Sequence, residues 1–523
     1  MGILSFFMWS LGVLAFAFPL SAAAQGQRVT LDDAVARALK QNPQLLSLKE
    51  ELGVATGRIG EAFSYAYPQL DFAFTYAHIP DPPTYSISPE SILQEGSNVS
   101  RKAGLAGPIG SSLGSMAPGA FGLPGLETSR VSVGDSHNLI GNVALTQTLY
   151  AGGRVLKGIR LAKRAMSATD AALAEGDRRV VEAVKNAFLG SIALEEVIAV
   201  RQEAIRVISA HVEDARKLYQ EGTVPYYDYL RARVRLANEK PPLIEAQNEL
   251  ARTIDLLKRL MGENPDAPGV EPLGKLSYAP VRVGLEEAYA LALEGEQRLK
   301  RERILVEVRK LAVGIARGEA LPTVGAFGSF FFNRPDYWEM DSANHYRDDF
   351  GQNAVVGVNI SVPLFEGFRV KSRVKQAAHQ AIQQRLSVRD YEMELHHELV
   401  TTLGDIKESD ERILASGSSI WEAKEALRLA QLRYREGAGT HLDVMDAQVN
   451  LLAAQLNLIQ AVLNHELAKA GLERMIGADA VRAREGSYKS LSVLTQEMGR
   501  AYRHPTAKEQ QDRTKERNGR GMP

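Results

Sequence analysis

The stretch Tyr219-Gln220-Glu221-Gly222, followed by Asp228, occurs twice in this chain. Its second copy, Tyr434-Arg435-Glu436-Gly437, lies 215 positions later and is followed by Asp443. Each glycine stands between two long segments whose apolar residues recur at helical spacing, and a glycine in that position typically ends a helix. The two stretches therefore predict the tips of two helical hairpins, at about 220–226 and 435–441, in a chain built from a doubled unit.

The spacing of matched residues supports this duplication along most of the chain. Leu31-Asp32-Asp33-Ala34 matches Leu285-Glu286-Glu287-Ala288 at an offset of 254, whereas Leu149-Tyr150-Ala151-Gly152 matches Leu364-Phe365-Glu366-Gly367 at 215. The offset changes once, where the first copy carries 39 additional residues. A fixed internal offset indicates a repeated structural unit. We therefore predict a first repeat at 25–262, a linker at 263–284, a second repeat at 285–477 and a final segment at 478–523.

Each repeat contains two short segments in which apolar and polar residues alternate, one on either side of a loop-like region. The clearest of the four includes Val356, Val358 and Ile360. Alternation with a period of two is typical of a strand with one apolar face. The pattern predicts four strands, at about 69–78, 139–150, 321–332 and 354–365. Between the first two lies a segment rich in glycine, proline and serine, which predicts an extracellular loop at 79–138.

Four strands of this length favour a sheet that spans a membrane. A soluble antiparallel sheet is the alternative and would be preferred for any one segment alone. Transmembrane barrels contain about eight strands or more, and an open edge in lipid leaves backbone groups unpaired. Four strands per chain therefore predict that several copies pool their strands.

Residues 1–24 have the pattern of a secretory signal peptide, with an apolar run at 3–20 and a plausible cleavage site after Ala24. No lysine or arginine precedes Arg28, so an uncleaved anchor helix is the alternative. We expect the mature chain to be exported. The chain contains no cysteine, which excludes disulfides, thiolate metal sites and a lipid anchor on an N-terminal cysteine.

The helical pattern is also doubled and covers most of the chain, so the predicted fold class is mixed but mainly α, a duplicated strand–helix unit. Segments 154–219 and 369–434 each predict one uninterrupted helix of roughly 100 Å. Segments 31–66 and 225–261 predict two shorter helices stacked end to end beside the first long one, with a kink or break at Pro241-Pro242. Less regular residues at 263–284 and 478–500 predict an equatorial collar, and the polar tail after about 501 predicts disorder.

Nothing in the sequence predicts catalysis, a cofactor or a metal. His396-His397-Glu398 places adjacent side chains about 100° apart on a helix, unlike ligand pairs three or four residues apart. The chain has no phosphate loop, nucleophile elbow or Cys/His pair. Its net charge of −1 gives no reason to expect nucleic acid as a partner.

Asp443 and Asp446 follow the second tip and share one face of the predicted helix, because they lie three positions apart. Acidic residues at a helix N-terminus stabilise its dipole, which explains Asp228 and Asp443. This explanation fits Asp446 less well, since that residue lies a turn further along. In a symmetric oligomer, one such residue per chain forms a ring of carboxylates, which favours cations in a pore. We predict a pore constriction at Asp443 and Asp446.

Taken together, these features resemble the TolC family of outer-membrane efflux proteins. The resemblance covers residues 31 to about 480 and is carried by Leu31-Asp32-Asp33-Ala34-Val35, Leu149-Tyr150-Ala151-Gly152-Gly153, and Tyr434 through Gly437 with Asp443-Val444-Met445-Asp446-Ala447. It implies a homotrimer whose twelve-stranded transmembrane β-barrel, four strands per chain, continues into a long periplasmic α-helical barrel. It also implies a periplasmic adaptor protein and an inner-membrane pump, of RND or ABC type, as partners.

The resemblance also assigns roles to the tips. Asp443 and Asp446 would ring the periplasmic entrance. The adaptor-facing residues would be Gly222, Thr223, Val224, Gly437, Ala438 and Gly439, and the residues that pack or lock the tip would be Asp228, Tyr434 and Arg435. One family member closes its tunnel with an arginine two residues past the second tip glycine. This chain has Gly439 there, and Arg435 is the replacement we consider.

The expected function is a passive exit duct for drugs, toxic compounds or metal ions in the outer membrane of a Gram-negative bacterium, driven by the inner-membrane pump. Two alternatives remain open. An exit duct of a type I protein-secretion system has the same fold with a different inner-membrane partner. A non-conducting periplasmic coiled-coil scaffold would require the strands to be soluble.

Overall fold

The structure is a computed structural model that describes residues 27–80, 84–87, 129–132, 136–264, 269–340, 346–347 and 349–501. The predicted signal peptide at 1–24, most of the loop at 79–138 and the predicted disordered tail lie outside the described residues. Most described residues are helical, as the sequence predicts. Among the described helices, none is long and apolar enough to cross a membrane.

The helices follow the two repeats. The first repeat contains α1 (Leu31–Gln41), α2 (Pro43–Ser64), α3 (Arg154–Gln220) and α4 (Tyr226–Met261). The second contains α5 (Leu285–Gly295), α6 (Gln297–Gly318), α7 (Arg369–Arg435) and α8 (His441–Ile476), and it is followed by α9 (Ala478–Arg482) and α10 (Leu491–Ala501). Corresponding helices have equal lengths in the two repeats, 11, 22, 67 and 36 residues. This equality supports the duplication inferred from the offsets.

The segment 31–66, predicted as one helix, is two helices. Asn42 leaves the helical region at ψ 122° because the ring of Pro43 disfavours helical backbone at the preceding residue. Its side chain then caps α2, since Oδ1 accepts hydrogen bonds from the backbone N–H groups of Gln44 (2.9 Å) and Leu45 (3.3 Å). Its Nδ2 donates to the carbonyl of Leu260 at the end of α4 (2.8 Å). The interruption is therefore also a junction between helices.

The second repeat is interrupted at the equivalent residue, Glu296, where ψ is 119° and no proline follows. Glu296 is buried. Its Oε1 accepts a hydrogen bond from the Tyr391 hydroxyl (2.7 Å), and guanidinium nitrogens of Arg178 and Arg474 lie 3.9 and 4.0 Å from its carboxylate. A buried carboxylate requires such partners, so this junction is held by charge rather than by an amide.

The sequence predicts a kink or break at Pro241 and Pro242, but helix α4 runs through both prolines without ending, so the alternative of a break is wrong. Each proline lacks the N–H that would bond the carbonyl four residues back. Residues on both sides of the prolines are nevertheless buried, including Ala232, Ala246 and Leu257. Packing of α4 along its length therefore outweighs the missing hydrogen bonds.

The strands include all four that the alternation predicts. They are β1 (Gln27–Val29), β2 (Gln69–His78), β3 (Thr84–Ile87), β4 (Ser129–Ser132), β5 (His137–Ala151), β6 (Val270–Pro272), β7 (Ser277–Tyr278), β8 (Thr323–Arg334), β9 (Asp336–Met340), β10 (Tyr346–Arg347), β11 (Gly351–Ser361) and β12 (Lys489–Ser490). Strands β11, β8, β5 and β2 form one antiparallel sheet in that order. Two short antiparallel pairs, β3 with β4 and β9 with β10, lie between them in sequence, and the first of these pairs falls within the predicted loop at 79–138.

The register of this sheet places the alternating apolar residues of all four strands on one face. One row across the sheet shows this: Leu70 of β2 pairs with Leu145 of β5, Leu145 pairs with Gly328 of β8, and Gly328 pairs with Val356 of β11. In the chain this face is open: Leu70 is 70% exposed and Val356 is 86% exposed. Within the part that the structure describes, β2 and β11 each have a single neighbour, so the sheet has two free edges.

The chain divides into two compact units, and each draws on both repeats. The first contains the described residues of Met1–Ala55, Ala165–Val306 and Gln383–Pro523, and the second those of Thr56–Arg164 and Glu307–Ile382. The second unit contains the four-stranded sheet. The first contains the hairpin tips and two large apolar clusters. Helix α3 contributes Val184 and Phe188 to one cluster, and α7 contributes Leu395 and Leu399 to the other.

Pairing of short strands organises the segments predicted as a collar. Strand β1 pairs in parallel with β6, and β7 pairs antiparallel with β12. The linker at 263–284 is thus joined both to the start of the first repeat and to the segment that follows the second.

Candidate functional site at the hairpin tips

The first tip ends α3 with a left-handed residue. Gly222 has φ +75°, and its N–H donates to the carbonyl of Tyr219 (3.0 Å) while the N–H of Thr223 donates to that of Leu218 (2.9 Å). This pair of bonds is the Schellman motif, in which glycine satisfies the last carbonyls of a helix without strain. A Cβ on Gly222 would meet nothing within 4 Å. Thr223 is exposed and Val224 is half-buried.

The second tip has the same geometry in a more crowded setting. Gly437 has φ +73° and donates to Tyr434 (3.1 Å), and Ala438 donates to Arg433 (2.9 Å). Gly437 and Ala438 are exposed. A Cβ at Gly439 would lie 3.0 Å from that of Arg433 and 3.1 Å from the Tyr434 nitrogen. A larger side chain at position 439 therefore requires the end of α7 to move.

Helix α8 begins with a complete capping box. The Thr440 hydroxyl accepts a hydrogen bond from the Asp443 N–H (3.2 Å), and the Asp443 carboxylate accepts one from the Thr440 N–H (2.9 Å). These bonds hold the pKa of the Asp443 carboxyl below its usual value. The capping role weighed for Asp443 is thus present. Asp446 has no part in the box, and both carboxylates are exposed.

Helix α4, at the first tip, begins without a side-chain cap, because its N-cap residue is Pro225. Three tyrosines cluster around this start. The ring of Tyr219 lies 5.2 Å from that of Tyr226 and 6.3 Å from that of Tyr229. Tyr219 and Tyr226 are 41% and 50% exposed, which leaves an aromatic surface beside the first tip. The sequence analysis quoted Tyr219 without giving it a role and did not name Tyr226 or Tyr229, so it missed this cluster.

The second tip has a small buried core. Tyr434 packs with Leu427 of α7 and with Val444 and Ala447 of α8. The Tyr434 hydroxyl has no hydrogen-bond partner among the described residues. Burial raises its pKa, and the negative charge of Asp228 raises it further. Asp228, half-buried in the first turn of α4, therefore acts on Tyr434 electrostatically.

Arg435, considered as a replacement for a tip arginine, bonds within its own helix. It is exposed, and its Nε donates to the carbonyl of Gln431 (3.4 Å). The arginine that reaches the tip is Arg433, whose guanidinium donates to the carbonyl of Ala438 (3.3 Å). Of the residues predicted to lock the tip, Asp228 acts on Tyr434 through its charge, and Arg435 bonds only to the backbone of its own helix among the described contacts.

Two histidines that the sequence prediction did not name complete this core. His211 of α3 and His441 of α8 are 7% and 4% exposed, and their rings stack at 4.6 Å with an angle of 10°. Nε2 of His211 lies 2.6 Å from Nδ1 of His441, and the Tyr434 ring meets His211 edge-on at 5.2 Å. The sequence does contain one indication that His211 is buried: it shares a face of α3 with Ile208 and Ala215, which are buried.

Metal binding has no geometric support in the described part of the chain, where no three or more His, Cys, Asp or Glu side chains are grouped to hold an ion. His396 instead packs edge-on against Tyr289 at 5.2 Å.

Comparison with known proteins identifies the class. The sequence model of the family described as outer membrane efflux protein matches residues 123–263 and 288–478, one range in each repeat. These ranges are more than half of the chain, and the chain therefore belongs to this family. It is similar to outer membrane protein TolC of Salmonella enteritidis, with 23% identity over 327 residues that cover 61% of this chain and 64% of TolC.

A second relative is the alkaline protease secretion protein AprF of Pseudomonas aeruginosa, with 22% identity over 319 residues, 60% of this chain and 64% of AprF. The matches thus span just under two thirds of the length of these relatives. Among solved structures, the outer membrane protein VceC of Vibrio cholerae aligns with a TM-score of 0.64 and 17% identity, over 86% of this chain and 96% of VceC. That likeness establishes a shared fold.

Proposed function

We propose that this chain is the outer-membrane channel of a tripartite efflux system, a passive exit duct for drugs, toxic compounds or metal ions. In this proposal, three copies form a twelve-stranded barrel in the outer membrane of a Gram-negative bacterium, and their helices form a periplasmic tunnel. Membership of the outer membrane efflux protein family supports it. The chain performs no chemistry on its substrate, and the inner-membrane pump supplies the energy.

The observation that carries the proposal is the four-stranded sheet. One face presents apolar side chains across all four strands, from Leu70 to Val356, and they are largely exposed. A soluble protein does not leave so large an apolar surface to water. The free edges on β2 and β11 would also leave backbone groups unpaired in lipid. Lipid against the face, and another copy at each edge, satisfy both requirements.

The tips are the surface that we assign to a periplasmic adaptor protein. Gly222, Thr223, Gly437 and Ala438 are exposed turns, and the tyrosine cluster around Tyr226 adds aromatic surface beside the first of them. Exposed aromatic side chains are enriched at protein interfaces. The adaptor would connect the tips to an inner-membrane pump of the RND or ABC type.

Asp443 and Asp446 are the residues that we assign to the entrance of the tunnel. Both are exposed on one face of α8, directly after the second tip. Three copies around an axis would place six carboxylates at the constriction, which favours cations and binds multivalent ones. Because the hydrogen bonds from Thr440 lower the pKa of Asp443, this part of the ring would keep its charge in mild acid.

Single-channel recording in planar bilayers tests the assignment. Asp446→Asn should raise the current and weaken block by multivalent cations, and Asp443→Asn with Asp446→Asn should do so more strongly. Asp443→Asn also weakens a helix cap, so Asp33→Asn is the matched control, because Asp33 forms the same capping box with Thr30 at the start of α1. Block that is unchanged in the double variant would exclude the ring.

The channel itself is tested by fractionation and mass. The protein should be found in the outer membrane, migrate differently on gels after heating, and have the mass of three chains in detergent. A water-soluble monomer would exclude the channel. A water-soluble protein that still binds other periplasmic components would favour the coiled-coil scaffold.

An exit duct for type I protein secretion is the second proposal, and the match to AprF favours it, since the name of that relative assigns it to alkaline protease secretion. Deletion of the gene distinguishes the two. Loss of small-molecule resistance with an unchanged set of secreted proteins would support efflux. Loss of a secreted protein with unchanged resistance would support secretion.

A further inference from the structure

The second tip contains a buried imidazole pair to which the proposed channel assigns no role. His211 and His441 come from different helices, 230 positions apart in sequence, and make the hydrogen bond between α3 and the start of α8. The Tyr434 ring of α7 packs against both, at 5.2 Å from His211 and 6.2 Å from His441. These three residues, which we call the tip latch, therefore connect the helices that the tip must keep together.

The hydrogen bond of the latch does not accommodate two protonated rings. Nε2 of His211 and Nδ1 of His441 lie 2.6 Å apart, so one nitrogen must donate and the other accept, and two protonated rings would place N–H against N–H. The opposite ring nitrogen of His441, Nε2, is buried without a hydrogen-bond partner among the described residues. A charge on either ring would therefore be buried with few groups to solvate it.

The charges around the latch come from α3 and α4 and do not compensate for an added proton. Burial has the largest effect on His441 and opposes a positive charge; Asp228 of α4 favours that charge, and Arg231 of the same helix opposes it. Asp214 of α3 acts on Tyr434. For His211 the nearest titratable neighbour is the second imidazole, which further disfavours a proton. Burial lowers the pKa of His441, and it lowers that of His211 from 6.5 to about 4.

We propose that the tip latch, formed by His211, His441 and Tyr434, is an acid-sensitive lock that holds the second tip closed while both imidazoles are neutral and releases it when they are protonated. Its effect on a channel rests on the proposed function. Its effect on the order of the tip does not, because the latch is internal to one chain.

The direction follows from proton binding. The released tip exposes His211 to water, where its pKa returns to about 6.5, so the released state binds more protons than the closed one between pH 6.5 and about 4. The closed state therefore loses stability as the pH falls through this window. From pH 7.5 to 5.5, the equilibrium constant for release should increase about tenfold from His211 alone. His441 contributes in the same direction.

Amide hydrogen exchange of the full-length protein in detergent tests the latch directly. After correction for the intrinsic effect of pH, exchange in residues 431–440 should be about tenfold faster at pH 5.5 than at pH 7.5. The first tip, residues 219–226, contains no histidine and is the internal reference. His211→Gln should remove most of the response, whereas His397→Gln, at an exposed position of α7, should retain it.

A second measurement needs no variant. Exchange of the imidazole C2 hydrogens, followed by mass spectrometry, gives the titration midpoint of each histidine in the wild-type protein, and His211 should titrate well below 6.5. A midpoint near 6.5, or tip exchange that is independent of pH, overturns the latch. If tip exchange responds while single-channel current is absent, the latch stands and the channel proposal fails. If the protein conducts while tip exchange is constant with pH, the latch fails and the channel stands.

Discussion

Replacing Gly222 and Gly262 by alanine separates two reasons for a glycine at the end of a helix. Both residues have φ +75° and follow a long helix, Gly222 after α3 and Gly262 after α4. A Cβ on Gly222 would meet nothing within 4 Å. A Cβ on Gly262 would lie 2.3 Å from the carbonyl oxygen of Gln41 and 2.7 Å from its carbon, which are backbone atoms and cannot rotate away.

The expected costs differ accordingly. For Gly222→Ala the cost is the left-handed backbone alone, about 1–2 kcal/mol. Gly262→Ala carries the same cost and must also push apart the ends of α1 and α4, which adds about 1–3 kcal/mol as for other overpacked sites. The displacement also disturbs the hydrogen bond from Asn42 to the Leu260 carbonyl. The second variant should therefore lose about 2–5 kcal/mol in total.

Thermal unfolding in detergent, followed by circular dichroism at 222 nm, measures the difference. The decrease in the unfolding midpoint should be small for Gly222→Ala and two to three times as large for Gly262→Ala. Gly57→Ala is a control that should raise stability rather than lower it. Gly57 lies inside α2 without a left-handed φ, and a Cβ there would meet nothing within 4 Å, so alanine should stabilise the protein by about 0.5–1 kcal/mol. Equal losses at Gly222 and Gly262 would refute the steric reasoning. A gain at Gly222 like that at Gly57 would refute the left-handed turn.

Three further predictions concern the helices. Asn42→Ala removes the cap of α2 and the bond to Leu260, and should lower the free energy of unfolding by about 1–3 kcal/mol in denaturant titrations. Because α4 is continuous, Pro241→Ala restores a helical N–H and should raise the unfolding midpoint, by up to about 3 kcal/mol in stability; a lower midpoint would contradict continuity. Thr440→Ala should cost about 0.5–2 kcal/mol and accelerate amide exchange in the first turn of α8, with a similar cost for Thr30→Ala in α1. Unequal losses at the two threonines would show that the boxes are not equivalent.

Features that depend on neighbours in sequence were predictable. Alternation through Val356, Val358 and Ile360 located β11, and the repeated glycines located both tips, because periodicity and the left-handed turn are local properties. The strand at 69–78 was predicted with the bounds that it has in the structure. The apolar residues of the four strands also meet on one face, since each strand contributed its own alternating set.

Features that depend on distant partners were not predictable in the same way. Pairing of β5 with β8 joins the two repeats, and nothing in either strand specifies its neighbour. The continuity of α4 through Pro241 and Pro242 depends on packing that the two residues do not reveal. Neither His211 nor His441 lies in a recognisable sequence motif. Only the folded tip brings Nε2 of His211 to 2.6 Å from Nδ1 of His441. The break at Asn42 was in principle visible, because Pro43 follows it.

Asn42 and Glu296 occupy the same place in the two repeats, yet they have diverged in chemistry. The first is an amide that bonds backbone groups, and the second is a buried acid matched by arginines on α3 and α8 and by the Tyr391 hydroxyl. A chimera made of two first halves would keep Arg178 but lack the anion that it faces, and one made of two second halves would bury an acid where its twin makes amide bonds. The two halves of the chain are therefore no longer interchangeable. Expressing one half of the gene alone would not recreate an ancestor that assembled from identical single-repeat chains.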